Sequence, residues 1–288
     1  MPANFEPKIT NPDRVLWPDD AITKQQLIDY YKSVSNLLIP ELKQRLLTLK
    51  RAPSGIEGEI FFQKNAPSYT PDWIATRTVE APSAKREIRY LVCNNARTLV
   101  WVANQSGVEL HHCLDRISRW DRPDMIVFDL DPPEGRFDLA VNGAFVVRSV
   151  LKDLGANAQV KTTGGKGLHV CLRIRRLYDY QRTHSFAVKI GELATQKEPG
   201  LFTMEFSKAD RGGRVYFDAH RNGPGATIAS VFSPRARPGA PVSFPIAWSD
   251  LDKVAAEEFT MTSVIGRLDS QAVKDWVTAK PQTLGTSI

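Results

Sequence analysis

A short apolar run, Met125 to Phe128, passes through Asp129, Leu130 and Asp131 and stops at two prolines. Apolar residues in so short a run, closed by turn formers, are the pattern of a buried strand. Helical spacing appears earlier. Leu27, Tyr30, Tyr31, Val34 and Leu38 share one face, and Thr23 with Gln26 forms a T-x-x-Q capping box at its start. Pro40 is expected to end this helix, with Glu41 to Leu49 as a second short one. Glu59 to Lys64 (EIFFQK) and Thr98 to Asn104 (TLVWVAN) read as short strands. Phe137 to Leu154 repeats its apolar residues as a helix does, and Gly155 suits the C-terminal cap. Two strands, AQVKT and LHVCLRI, then flank a glycine-rich turn. A helix over Tyr180 to Gln196, the strand Arg214 to Asp218, an extended Pro- and Arg-rich loop from Pro234 to Pro245, and a helix over Ser270 to Ala279 follow. Residues 281–288 read as a loose tail. Strands and helices mix without strict alternation, so the pattern predicts an α+β fold with mixed or antiparallel sheets and flanking helices.

Composition narrows the class without choosing a function. With 288 residues, 42% hydrophobic and 24% charged, the chain suits one large soluble domain or two small ones. Lys and Arg outnumber Asp and Glu by 38 to 32, and that modest excess favours an anionic partner. No apolar run approaches the ~18 residues of a spanning helix. The start, MPANFEPKIT, lacks a basic-then-apolar export signal, so a cytoplasmic location is expected. Cys93, Cys113 and Cys171 are far apart and free of C-x-x-C spacing, which predicts reduced core thiols.

Chemistry concentrates in three clusters. On a strand, residues i and i+2 share a face, so Asp129 and Asp131 would hold two like charges side by side. A divalent cation resolves that conflict, since Mg²⁺ and Mn²⁺ take a few carboxylates together with substrate phosphates. A strand-end turn is the plain alternative. Haloacid dehalogenase-type phosphohydrolases also end an apolar strand with D-x-D. They usually carry Thr or Val two positions on, where this chain has Pro132 and Pro133, and no downstream G-D-x-x-x-D is present. The second cluster is TTGGKGLHV, Thr162 to Val170. Its glycines let a backbone approach an anion, Lys166 can meet a phosphate, and the Walker A spacing is absent. The third is RGGRVYFDAHRN, Arg211 to Asn222, where a second apolar strand ends in Asp218 between Arg211 and Arg221. Three acids on two strand ends beside a glycine-lysine loop are the parts of metal-assisted nucleotidyl transfer.

Taken together, the stretches NPDRVLWPDDAITKQQLIDYY, FFQKNAP, VELHHCLDR, DRPDMIVFDLDPPEG, TTGGKGLHV and SPRARPGAPVSFPIAW resemble the archaeo-eukaryotic primase superfamily. The resemblance is close to the polymerase domain of bacterial DNA ligase D, and it runs from Asn11 to Trp248. It implies a primase-polymerase architecture with an RRM-like catalytic core over 1–280, divided into a DNA 5′-phosphate and template part at 1–75 and a catalytic part at 76–280. It implies Asp129, Asp131 and Asp218 as catalytic, metal-binding acids for two Mn²⁺ or Mg²⁺ ions. Lys50, His111, Thr163, Lys166, His169 and Arg235 match nucleotide-binding positions. Without that match, His111 reads equally as a buried structural histidine. Arg14 and Lys24 match the basic pair that grips a 5′-phosphate, and a helix N-terminus at Lys24 adds its dipole. From the residues alone, an ordinary solvated lysine is the better reading there. Phe61 and Phe62 are expected to divide, Phe61 packing and Phe62 stacking on a template base, with Arg211 also on the DNA side.

The implied activity is template-dependent addition of NTPs or dNTPs to a primer 3′-end at gaps or double-strand breaks. The implied partners are 5′-phosphorylated gapped or broken DNA, a ligase and the Ku protein. An adaptor that only recognises 5′-phosphorylated ends is the alternative from the binding class. Two departures stand out. Thr163 replaces the usual Ser, and Arg221 stands where the family commonly has Gln before Asn222, which leaves the choice between ribo- and deoxyribonucleotides open. The chain also lacks the K-x-D-G of an ATP-dependent ligase, as expected of a stand-alone polymerase or of one piece of a longer enzyme.

Overall fold

The computed structural model describes residues 7–81 and 86–285. A two-stranded ribbon, β1 (Val15–Trp17) and β2 (Ile22–Thr23), leads directly into helix α1 (Lys24–Leu42). Thr23 caps that helix as its capping box predicts, with Gln26 Oε1 accepting from the Thr23 amide at 2.7 Å. Pro40 does not end α1, and the helix runs two residues further. The buried carboxylate of Glu41 accepts from Arg173 and from Trp276 Nε1, so tertiary packing holds the last turn despite the missing amide. The second helix expected over Glu41 to Leu49 is absent. Leu47–Arg51 is strand β3, bonded to a partner on each side.

Next come β4 (Phe61–Gln63), β5 (Thr76–Ala81) and β6 (Arg86–Leu91), then helix α2 (Ala96–Asn104). Its sequence was expected to be a strand. Asn95 Oδ1 accepts from the Thr98 amide to start the helix, and every residue from Thr98 to Asn104 is buried. A helix buried all round shows no amphipathic period, so its short apolar run looks like a core strand. The remaining elements are β7 (Gly107–His112), β8 (Met125–Asp131), α3 (Phe137–Asp153), β9 (Gln159–Thr162), β10 (Leu168–Arg173), α4 (Tyr180–Lys197), β11 (Phe202–Thr203), β12 (Val215–Asp218), β13 (Ile228–Ala229), β14 (Pro245–Ile246) and α5 (Gln271–Thr278). Gly155, at φ +73°, follows α3 in the left-handed conformation that suits a helix stop.

Two six-stranded sheets result. One has the order β13-β7-β3-β6-β5 with β4 also on β3, and the other has the order β11-β12-β8-β10-β9-β14. Within the second, β11 and β12 run parallel and the other pairs are antiparallel. The predicted α+β class with mixed sheets is what forms. On β8, Phe128 and Leu130 face one way, towards α3 and α4, and Asp129 and Asp131 face the other. The sheets meet where Lys161 Nζ on β9 of one donates to Ala229 O on β13 of the other.

The main apolar core runs from Leu16 to Leu284, and Leu46, Ile88, Tyr90 and Cys113 form a small second cluster. The parts before and after residue 75 share one sheet, since β3 and β4 pair within the same sheet as β5 to β7. Residues 281–285, expected to be loose, are docked. Gln282 exchanges backbone bonds with Arg173 and Arg175 and its side chain caps the Asn157 amide, while Leu284 is buried. Residues 286–288 lie outside the described residues. All three cysteines are free and buried, and burial pushes each thiol up to about 12. Among the described residues no helix is long and apolar enough to cross a membrane.

Candidate active site

The strand register builds the acidic centre. Asp218 on β12 lies directly opposite Asp129 on β8, and His169 on β10 lies opposite Asp129 on its other side. Facing residues on antiparallel neighbours share a face, so all three point away from the apolar side of the sheet. Asp131 continues the same face one pleat further. Asp218 also caps the turn Ala219–Asn222, its Oδ1 accepting from the His220 amide at 2.9 Å. That turn is pinned beneath the site by Asn222, fully buried, whose side chain bonds Val127 N at 2.8 Å and Val127 O at 2.7 Å. Its neighbour Arg221 extends over the acids, with Nε 3.0 Å from Asp129 Oδ2 and 3.2 Å from Asp218 Oδ2.

The charges there are poorly balanced. Burial and then the adjacent Asp129 raise the Asp131 pKa to about 6. Asp129 goes the other way: burial opposes ionisation, but bonds from the His169 ring and from Arg221 more than offset it. His169 itself is lowered to about 4, first by burial and then by Lys161, so at neutral pH it is an uncharged hydrogen-bonding ring. Arg221 is the arginine in direct contact with Asp129. His169 Nε2 lies 3.4 Å from Asp129 Oδ1, and its buried Nδ1 has no protein partner.

The donor set fits a hard divalent cation. It consists of carboxylate oxygens, and two of them already converge on one cationic nitrogen. Among the described residues, no three acid, histidine or cysteine side chains form a ready-made ion cage. Completing a six-oxygen shell would therefore fall to water or to substrate oxygens.

The anion side is built by the β9–β10 loop. Thr163 Oγ1 accepts from the amides of Gly165 and Gly167, at 3.1 and 3.3 Å, and so folds the loop on itself. Glycine is required at two places. Gly164 has φ +68°, and a Cβ on Gly167 would stand 2.3 Å from Leu130 O. Lys166 projects at the rim, 3.9 Å from the exposed Glu134. Together with Asp129, Asp131 and His169, this loop lines a cavity of about 280 Å³ that also meets Phe62, His111, Arg221, Arg235 and Arg237. Thus the predicted Thr163, Lys166, His169, His111 and Arg235 line one cavity with Asp129 and Asp131, whereas Asp218 and Lys50 do not line it.

Glu109, absent from the predicted set, organises the opposite wall. It is fully buried on β7 and accepts from Lys50 Nζ at 3.0 Å, His111 Nε2 at 2.8 Å, Arg235 Nε at 2.9 Å and the Ala236 amide at 3.0 Å. Burial opposes its ionisation. The His111 bond and the Arg235 charge reverse that and hold it below the usual carboxylate range. Burial lowers the pKa of His111, and the bond to Glu109 works against that shift. The signal for Glu109 was its place at i−2 from His111 on a strand, hence on the same face.

Of the expected DNA-side residues, Phe62 lines the cavity with Asp129 and Asp131, and Phe61, Arg14, Lys24 and Arg211 do not. Phe61 and Phe62 do not divide between core and surface: they are 36% and 61% exposed. Strand β4 is so short and peripheral that neither face is covered. Phe61 lies under the Arg51 guanidinium, and Phe62 meets the edge of the His111 ring with 5.5 Å between centroids. Arg14 is exposed and donates to Pro53 O. Lys24 is buried, with Nζ donating to Thr10 O at 2.7 Å, and the Lys24 and Gln25 amides are already used by Arg14 O and Pro12 O. Those amides are thus not open to an anion. Burial, with Arg14 and Arg51 nearby, lowers the Lys24 pKa. Arg211 lies beyond β12, stacked 3.8 Å over the Tyr216 ring.

Comparisons agree with this architecture. The family described as LigD, primase-polymerase domain, matches residues 23–276. The chain is 31% identical over 265 residues to the multifunctional non-homologous end joining protein LigD of Mycolicibacterium smegmatis, covering 91% of this chain and 34% of that protein. Against the bifunctional LigD of Bacillus subtilis, identity is 31% over 273 residues, covering 94% of this chain and 44% of the relative. The chain therefore spans less than half the length of either. The solved polymerase domain of Mycobacterium tuberculosis ligase D in complex with DNA superimposes with a TM-score of 0.89 at 28% identity, covering 96% of this chain and 99% of that one. The phosphohydrolase reading of the D-x-D motif is set aside with this result: the chain belongs to the LigD primase-polymerase domain family.

Proposed function

We propose that the chain is a template-dependent nucleotidyltransferase that extends a primer 3′-end at gaps or double-strand breaks, within non-homologous end joining or gap-filling repair. The observation that carries this reading is the register of β8 with β12. It sets Asp218 against Asp129, which with Asp131 one pleat along lines a cavity that also bears Lys166, Arg235 and Arg237. Acids beneath a basic rim suit a polyphosphate held by cations at both ends. Asp129, Asp131 and Asp218 would hold Mg²⁺ or Mn²⁺, which when bound lowers the barrier to attack by the 3′-hydroxyl and to loss of pyrophosphate.

The remaining roles follow from the chain's own groups. Lys166 and Arg235 orient the triphosphate. Arg235 is held by Glu109 and by Thr163 O, so its guanidinium is aligned before the substrate arrives. The unpartnered His169 Nδ1 is available to a phosphate oxygen. Phe62, exposed at the cavity edge, offers a face for a template base. The end-joining names of the relatives and the DNA in the solved neighbour support 5′-phosphorylated DNA as the partner, with a ligase and Ku as further ones.

The test is primer extension on gapped DNA, with and without a 5′-phosphate, using Mn²⁺ or Mg²⁺ and either NTPs or dNTPs. Asp129→Asn and Asp218→Asn are expected to abolish extension and to leave DNA binding within about twofold of wild type. Extension that survives either change overturns the assignment. DNA binding without extension in the wild type supports the end-binding adaptor instead.

A further inference from the structure

Arg221 occupies the point where the acids converge, and its environment is unlike that of the other arginines around the cavity. The Arg221 side chain is 43% exposed, whereas those of Asp129 and Asp218 are 6% and 9% exposed. The guanidinium thus reaches down from the open cavity onto two buried carboxylates. Arg235, in contrast, is 17% exposed and fixed by Glu109. The backbone under Arg221 is rigid, since Asn222 locks the turn to β8.

We propose that Arg221 is a resident counter-cation of the acid pair. A divalent ion can seat there only when the guanidinium withdraws, and the withdrawn guanidinium is then handed to the polyphosphate in the same cavity. This rests on reading the acids as cation ligands. Oxygens of Mg²⁺ or Mn²⁺ ligands stand at about 2.0–2.2 Å from the ion. An ion at that distance from Asp129 Oδ2 and Asp218 Oδ2 would crowd an arginine nitrogen that is 3.0 and 3.2 Å from the same atoms. Two like charges at that separation repel strongly at low local dielectric. Withdrawal has a ready destination, because Arg221 lines the same cavity as Lys166, Arg235 and Arg237. Binding of ion and polyphosphate is then coupled through one side chain, with reciprocal effects on the two affinities.

The test uses the intact chain as wild type, Arg221→Met, Arg221→Lys and Asp129→Asn. Free Mn²⁺ is followed by electron paramagnetic resonance without nucleotide, and binding of a non-hydrolysable nucleoside triphosphate is measured at saturating Mn²⁺. Arg221→Met, which keeps the stem and loses the charge, is expected to bind Mn²⁺ about tenfold more tightly and the triphosphate about tenfold more weakly. Arg221→Lys is expected to stay near wild type on both. Opposite shifts on the two ligands are the signature, since a merely structural arginine would weaken both together. Unchanged or weaker Mn²⁺ binding by Arg221→Met overturns the counter-cation, and unweakened triphosphate binding overturns the hand-over. Either failure leaves the metal assignment standing so long as Asp129→Asn loses Mn²⁺. Mn²⁺ binding indifferent to Asp129→Asn overturns that assignment and this inference with it.

Discussion

Removing the Asp131 charge should stabilise the ion-free protein, although Asp131 belongs to its proposed active site. In the folded chain burial and Asp129 raise this carboxyl from 3.8 to about 6. Each unit is worth ~1.4 kcal/mol, so holding Asp131 ionised costs roughly 3 kcal/mol, reduced to about 1–2 kcal/mol by solvent at this half-buried position. The sign follows from proton uptake. Above pH 6 folded and unfolded chains both carry the charge, and the folded state bears the full penalty. As pH falls from about 6 towards 3.8, the folded state takes up its proton first and the deficit disappears. Asp131→Asn should therefore raise the melting temperature in chelator by about 2–4 °C at pH 8, at roughly 2 °C per kcal/mol for a chain of this length. The gain should shrink below pH 6 and vanish near pH 4. With Mn²⁺ present the order should reverse, because the ion rewards only the intact carboxylate. Thermal scans at several pH values, with chelator and with Mn²⁺, supply the comparison. A stability gain absent at pH 8, or one that does not change with pH, would refute the account of like charges in conflict.

Other perturbations probe separate parts of the frame. Asn222→Ala leaves the buried Val127 amide and carbonyl without partners, so denaturant titration should show a loss of about 2–4 kcal/mol, with extension impaired because the turn bearing Arg221 is released. Gly167→Ala forces a Cβ to within 2.3 Å of Leu130 O; reduced stability and a lost extension signal are expected, and wild-type behaviour would contradict the close approach. Phe62→Ala, at a 61% exposed position, should leave the melting temperature within about 1 °C of wild type and weaken single-stranded template binding by about 5–100-fold in fluorescence anisotropy, the worth of one base–aromatic stack. The three thiols, buried and raised to about 12, should ignore a thiol-exchange reagent at pH 8 and all react once the chain is denatured.

The legible parts of this sequence were those with a period or a punctuation mark. The capping box of Thr23 and Gln26, the strand ending in Asp129 and Asp131, and the stop at Gly155 each rest on local chemistry, and each formed. The misreadings share one cause, which is decision by tertiary surroundings. Thr98 to Asn104 is buried on every side, so its helix shows no polar stripe. Pro40 is tolerated because Glu41 is anchored by Arg173 and Trp276, which lie far along the chain. Phe61 stays exposed because β4 has three residues and no covering layer. Glu109 and Arg221 were in view as residues, but their roles depend on partners 126 and 92 positions away, and no local rule reports those distances.

The placement of these two residues explains how a single fold can hold both a stable wall and an unsettled floor. Glu109 is satisfied by four donors, and its excess charge is cancelled by Arg235 and Lys50, so the wall it organises is ordered before any ligand arrives. Arg235 also bonds Thr163 O, which ties that wall on one sheet to the glycine loop on the other and fixes the width of the cavity. The floor lacks such closure. Asp131 carries a raised pKa, His169 Nδ1 is unpartnered, and Arg221 is shared between two acids from the solvent side. Unmet polar groups in a native interior weaken it unless a ligand completes them. Here they lie on one face of one sheet, where a cation and a polyphosphate would answer each in turn. On the proposed reading, binding energy would be concentrated at that end of the cavity, on a frame that need not move to receive it.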